Sequence, residues 1–259
     1  MTINGYRFIY AGRDSEEFGM LKCTFGAQSF ETNDEESNIR LSKNPFKETW
    51  DFHGIEYTAP LQFKMTIAKS SGDFINSDEQ RELKKWLCKG SFNWLQVEQN
   101  DMNNIVYYCI INNPRPVDVG NLTGGLEFQV TCDTFHAWSG SYKKKYTTVN
   151  GTLTFNFNNV TDYDNYILYP TLSIKPTING NITIKNNSAY KTITINNCVT
   201  TEIITMDSKN DIIESSSGRI LLDDWNKNFL ELKPNNNNIT LTGNFVLDME
   251  YRLPIRVGG

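Results

Sequence analysis

Between residues 61 and 68 the chain alternates so strictly that little choice of backbone is left. Leu61, Phe63, Met65 and Ile67 are large and apolar, while Gln62, Lys64, Thr66 and Ala68 are polar or small. A period of two puts the four large side chains on one face of a β-strand. The pattern returns at Leu126, Phe128, Val130 and Cys132, and apolar runs at 92–97 and 105–111 add further strands. Nearer the start, Tyr6, Phe8 and Tyr10 share a face until Gly12 interrupts them, and Gly19 inside Phe18-Gly19-Met20-Leu21 argues for a turn or bulge.

One stretch departs from this period. Leu83, Trp86 and Leu87 stand at helical spacing, with Arg81, Glu82 and Lys85 turned away from them. Ser77 and Gln80 have the spacing of a capping box, Asp78 and Glu79 favour a helix start, and Lys84, Lys85 and Lys89 with Gly90 favour its end. The expected helix is 78–89. At about a dozen residues it is marginal alone, so its narrow apolar face must lie on the flanking sheet.

From 139 to 151 Ser, Lys, Tyr, Thr and Gly replace the large aliphatics, which places a domain boundary near Lys145. Beyond it, brief apolar segments recur between Asn, Gly and Ser turns, at 153–157, 166–174, 181–184, 192–195, 202–206, 219–222, 229–232, 239–241 and 245–255. The tract Asn235 to Asn238, after Pro234, reads as a turn. The chain is therefore expected to be mainly β: an α+β domain of sandwich type over 1–145, carrying the one helix, then an all-β sandwich over 146–259. Whether the last segment completes the second domain or returns to the first is open.

A net charge of −5 argues against nucleic-acid affinity, which needs clustered cations. The one basic run, Lys143 to Lys145, reads as a solvated linker in preference to a phosphate or partner contact, and the acidic stretch from Glu31 to Asn38 as an exposed loop. No stretch approaches the roughly eighteen apolar residues of a membrane span, and Asp14, Glu16 and Glu17 fall where a secretory signal would be apolar. Five scattered cysteines without a Cys-x-x-Cys suggest neither a disulfide framework nor a zinc site.

The catalytic inventory is thin, and no enzyme, metal or cofactor is expected. His53 and His136 lack metal-ligand spacing, and Ile167 stands where a calcium loop opened by Asp162 and Asp164 would need Gly. Asp223 or Asp224 could pair with Glu202 or Asp207 as a hydrolase couple, but nothing fixes their separation. Trp225, Asn226 and Asn228 could stack on a sugar ring and hydrogen-bond around it, the alternative being a loop anchored by a buried Trp.

Several segments together resemble the distal tail (Dit) proteins of long-tailed phages that infect Gram-positive bacteria. They are Phe18-Gly19-Met20, the strand Pro60 to Lys69, the helix ending in Lys85-Trp86-Leu87, the run Thr131 to Ser139, and Phe229-Leu230-Glu231-Leu232-Lys233-Pro234 followed by Asn238-Ile239. Asn235 stands where that family more often has Gly. The resemblance implies a non-catalytic virion protein assembled in the bacterial cytoplasm. It implies a hexameric ring of N-terminal domains at the tail tip and a galectin-like, jelly-roll C-terminal sandwich. The implied partners are further copies, the tail tube, tape-measure and tail-associated hub proteins, and receptor-binding or baseplate proteins, with DNA only in passage and no membrane. Six copies would carry about −30 and repel DNA in the lumen. A carbohydrate-binding adhesion module centred on Trp225 is the competing reading.

Overall fold

A computed structural model describes residues 5–24, 37–98, 104–148 and 151–257. The chain divides into two compact units, Met1–Ser139 with Ile255–Gly259, and Gly140–Pro254. In the first, the strands are β1 (Phe8–Tyr10), β2 (Arg13–Asp14), β3 (Met20–Cys23), β4 (Ser37–Lys43), β5 (Trp50–Tyr57), β6 (Gln62–Lys69), β7 (Asn93–Val97), β8 (Ile105–Val119), β9 (Leu122–Cys132) and β10 (Ala137–Ser139), with helix α1 (Ser77–Leu87) between β6 and β7. The main sheet runs β2-β1-β7-β8-β9-β6-β3. Tyr6, just ahead of β1, exchanges two 2.8 Å backbone hydrogen bonds with Lys22 of β3, so the sheet curls back on itself around a core.

The alternating residues fill that core as expected. Leu61, Phe63, Met65 and Ile67 from one side and Leu126, Phe128, Val130 and Cys132 from the other are all buried there with Phe8 and Tyr10. Gly19 takes the left-handed turn (φ 62°) after a short 3-10 turn, Ser15–Phe18, and a regular strand follows it directly. The helix adds Leu83, Trp86 and Leu87 to the core. Trp86 stacks on Phe18 at 4.2 Å and on Phe8 at 5.5 Å, and its indole N–H donates to the Tyr10 carbonyl at 3.0 Å. The helix cap lies one residue earlier than the expected Ser77/Gln80 pair. Asn76 is extended, its Oδ1 accepts from the Glu79 amide at 3.0 Å, and Glu79 Oε2 accepts from the Asn76 amide at 2.9 Å. The helix ends at Leu87 because Cys88 has left helical geometry, two residues ahead of the left-handed Gly90.

The second unit is a sandwich. One sheet has the order β11-β19-β13-β16-β17, from β11 (Tyr142–Thr147), β13 (Thr171–Pro176), β16 (Ile204–Asp207), β17 (Ile212–Ser215) and β19 (Phe245–Tyr251). The other has β12-β18-β14-β15, from β12 (Thr152–Asn159), β14 (Gly180–Asn186), β15 (Lys191–Cys198) and β18 (Asn235–Thr242). Leu172, Ile174, Met206, Leu247 and Met249 from the first sheet meet Phe157, Ile184, Ile193, Ile239 and Leu241 from the second in one core. The last strand, β20 (Pro254–Ile255), pairs with β10, and Val257 is buried in the first unit's core. The chain thus leaves the first unit and comes back to it.

Several expectations need correction. Lys143–Lys145 are not linker but part of edge strand β11, where Lys143 pairs with Glu250 at 3.3 Å and Lys144 sits over the Phe157 ring. Lysines on a sheet edge discourage further strand pairing. The Asn235–Asn238 tract is strand. Buried Asn237 makes this possible, since its amide accepts from Asn186 and from the Lys233 N–H, both at 2.9 Å, and donates to the Lys233 carbonyl at 2.7 Å. Conversely 219–222 and 229–232 are not strands but an irregular strap that buries Leu221, Leu230 and Leu232. Of the acidic stretch read as a loop, residues 31–36 lie outside the described residues, while Ser37 and Asn38 open β4.

Candidate functional site

The segment between β3 and β6 holds a two-stranded hairpin, β4 with β5, which forms a sheet of its own. Its register pairs Ile39 with Ile55, Leu41 with Phe52 and Lys43 with Trp50, with a bulge that takes up His53. Antiparallel pairing sorts these residues by face. One face carries Ile39, Leu41, Trp50, Phe52 and Ile55, each 50–63% exposed, with Lys43 beside them opposite Trp50. The opposite face is polar: Arg40 reaches Glu56 at 2.5 Å and Ser42 lies 2.6 Å from the His53 ring. At the hairpin's base Tyr57 stacks on Phe135 at 3.7 Å. An isolated two-stranded hairpin is marginal in water, and this one turns its apolar side to solvent.

A second exposed apolar area lies on the outer side of β7 and β8. Trp94 pairs with Tyr108 across the strands with ring centroids 4.8 Å apart, and Phe92 lies 5.6 Å from Tyr108. Phe92 and Trp94 are 39% and 38% exposed, while Leu95 and Val97 of the same strand face the core.

In the second unit, the residues singled out from sequence fall into two neighbouring clusters. Trp225 is half-buried against the sandwich core, edge-on to Phe229 at 4.9 Å, and donates to the Asn228 carbonyl at 3.0 Å. Asn226 accepts from the Thr194 amide at 3.1 Å and donates to the Thr192 carbonyl at 2.8 Å, which also takes a bond from the Asn228 side chain. These three residues strap the irregular segment along β15. Of the carboxylates, Asp207 accepts from the Lys209 and Asn210 amides in its own turn. Glu202 and Asp224 are joined by one cation. Arg219 donates to Glu202 Oε1 at 2.9 Å and to Asp224 Oδ2 at 2.6 Å. Glu202 is fully buried and also accepts from the Ser215 hydroxyl at 2.7 Å and the Val199 amide at 3.0 Å. Burial alone would push its carboxyl up. The hydrogen bonds from Ser215, Val199 and Arg219 outweigh burial and hold it below the usual glutamate range. Held by Arg219 from both sides, with the Glu202 oxygens also taken by Ser215 and Val199, this carboxylate pair reads as a structural tie.

His53 belongs to the exposed hairpin, and His136 is buried with Nδ1 2.9 Å from the Ala137 carbonyl. All five cysteines are free thiols. Burial pushes the thiols of Cys109 and Cys132, which face each other across β8 and β9, well up, that of Cys132 to about 12. Among the described residues, no group of three or more His, Cys, Asp or Glu could hold a metal ion, and no helix is long and apolar enough to cross a membrane.

Two β units, the first of which exposes apolar side chains on its hairpin and along β7 and β8, offer surfaces rather than a reactive cleft. Residues 3–134 match the family described as "Phage tail protein N-terminal domain" and residues 136–251 the one described as "Phage tail C-terminal domain". The chain belongs to this family of phage tail proteins. Its fold is Dit-like. The SPP1 Dit protein, described as a paradigm of the hub adsorption apparatus in phages infecting Gram-positive bacteria, superposes with a TM-score of 0.66 at 12% identity, over 96% of this chain and 100% of that one. A chain of the phage p2 baseplate in its activated conformation gives 0.58 at 7% identity, over 98% and 100%. The curated proteins contain no match.

The hairpin surface was not picked out from sequence. Its signal was there, in Ile39 and Leu41 alternating with Arg40 and in Trp50 and Phe52 flanking Asp51, on either side of Asn44-Pro45.

Proposed function

We propose that this protein is a structural distal tail hub, which forms a hexameric ring joining the phage tail tube to the tail-tip and receptor-binding apparatus. In this reading it has no catalytic activity of its own. The observation that carries it is the whole-chain likeness to hub and baseplate proteins in a chain whose two halves both match phage tail domains. The first unit would build the ring, and the second, galectin-like unit would present a surface to baseplate or receptor-binding partners. Assembly would take place in the host cytoplasm and the finished protein would reside in the virion. The carbohydrate-binding alternative is not favoured, because the amides of Asn226 and Asn228 are spent on β15.

Native mass spectrometry of the full chain and electron cryomicroscopy of tails test the reading together. Six copies in one ring at the distal end of the tube are the expected result. A chain that stays monomeric at high concentration, with no density for it at the tail tip, overturns it.

A further inference from the structure

We infer that Cys109 and Cys132 form a redox latch, a dithiol pair set across β8 and β9 that a low-molecular-weight disulfide converts into a covalent cross-link. The inference is independent of the tail reading above. It begins with register. Cys109 lies directly opposite Cys132 in the antiparallel pairing of the two strands, so both side chains point to the same face, and both are buried in the first unit's core. Hydrogen bonds define the kind of pair. The Cys132 amide donates to the Leu61 carbonyl, away from β8, and the Asp133 amide one residue on donates to the Tyr108 carbonyl, each at 2.9 Å. Cys109 and Cys132 are therefore a non-hydrogen-bonded pair, the closer of the two antiparallel types, with α-carbons about 4.5 Å apart. A disulfide accepts α-carbon separations of roughly 4.4–6.8 Å, so the strands need no change of register.

The other three cysteines have no such mate. Cys23 stands opposite Thr66, Cys198 opposite Gly180, and Cys88 follows the helix. Position also provides a way in. Cys132 is the last residue of β9, with the irregular stretch 133–136 after it, and strand ends open locally at far smaller cost than a whole sheet. The exchange balances: one cysteine displaces the first thiol from the small disulfide, the second cysteine displaces the other, and one protein S–S bond with two small thiols replaces two protein thiols and one small S–S bond. Burial keeps both protein thiols protonated at neutral pH, which makes closure slow and faster in base. In reducing surroundings the pair stays open, and oxidising ones close it after folding. Closure restricts the unfolded chain between residues 109 and 132 and so stabilises the first unit.

The test uses the full native chain, incubated with hydroxyethyl disulfide in mildly alkaline buffer and then alkylated with iodoacetamide. Glutamyl endopeptidase cleaves after Glu127, between the two cysteines, and mass spectrometry of the unreduced digest should find the segments holding Cys109 and Cys132 joined to each other. The melting temperature of the first unit should rise by roughly 5–10 °C and fall back with dithiothreitol, while Cys132→Ala shows no rise on the same treatment. The mapping needs no substitution, so it decides the matter even if that variant folds poorly. Alkylation of both Cys109 and Cys132 after prolonged oxidation, a bridge between any other pair, or a bridged chain that melts as the reduced one does overturns the latch.

Discussion

Replacing Arg219 with Ala removes the cation that ties Glu202 to Asp224. Glu202 is fully buried and keeps only the Ser215 hydroxyl and the Val199 amide, with Arg219 itself about a quarter exposed. Breaking a buried pair from one side costs about 3–5 kcal/mol. Water reaching the vacated arginine position lowers that toward about 2–4 kcal/mol, which for a unit of this size lowers its melting temperature by roughly 10–15 °C. Glu202→Gln should cost less, since both the buried charge and its partner's need change together. The pH dependence has a definite sign. Glu202 is held below its ordinary value near 4.5, so its ion pair stabilises fully above that pH and its contribution fades as the pH falls through the lower folded value. Calorimetry from pH 7 to pH 3 should show the parent and Glu202→Gln converging at the acid end. If Arg219→Ala melts within about 2 °C of the parent at pH 7, the tie carries no stability and the reasoning fails.

Trp86→Ala should destabilise the first unit by about 3–5 kcal/mol, because it empties the space against Phe8 and Phe18 and leaves the Tyr10 carbonyl without its donor; denaturant titration followed by near-ultraviolet dichroism measures it. Asn76→Ala should cost about 1 kcal/mol through the lost helix cap, read from the same titration, and Ser77→Ala close to nothing. Trp225→Ala should lower the melting temperature of the second unit by several degrees while leaving the response to host wall polysaccharides on a glycan array flat. A glycan signal in the parent that vanishes in this variant would instead revive the adhesion reading.

Much of the fold was legible because burial imposes its own period. Leu61 to Ile67 and Leu126 to Cys132 each have one face against the core, and the alternation follows from that alone. The helix was legible but its start was displaced, since Asn76 with Glu79 and Ser77 with Gln80 satisfy the same box and only backbone geometry chooses between them. The Asn235–Asn238 strand was hidden by residues with poor strand propensity, because pairing with β12 and the satisfied amide of Asn237 decide the matter. Residues 219–222 and 229–232 misled in the other direction, with apolar side chains buried along an irregular path held by Arg219 and Trp225. Sequence reasoning about sites searched for reactive groups converging within one molecule. It therefore stopped at Trp225 and the Asp223-Asp224 pair, whereas the hairpin's apolar residues lie exposed at the surface.

The return of the polypeptide through β20 has a practical corollary for dissecting the molecule. Trimming at residue 139 to isolate the first unit would also discard Ile255 and Val257, two apolar plugs contributed by the far end of the chain. The second unit is wired in as a cassette, spliced into a host whose sequence resumes afterwards. Clean excision would join residue 139 to residue 255 through a short Gly-Ser bridge, and a replacement cassette would have to supply both of its ends at the same place.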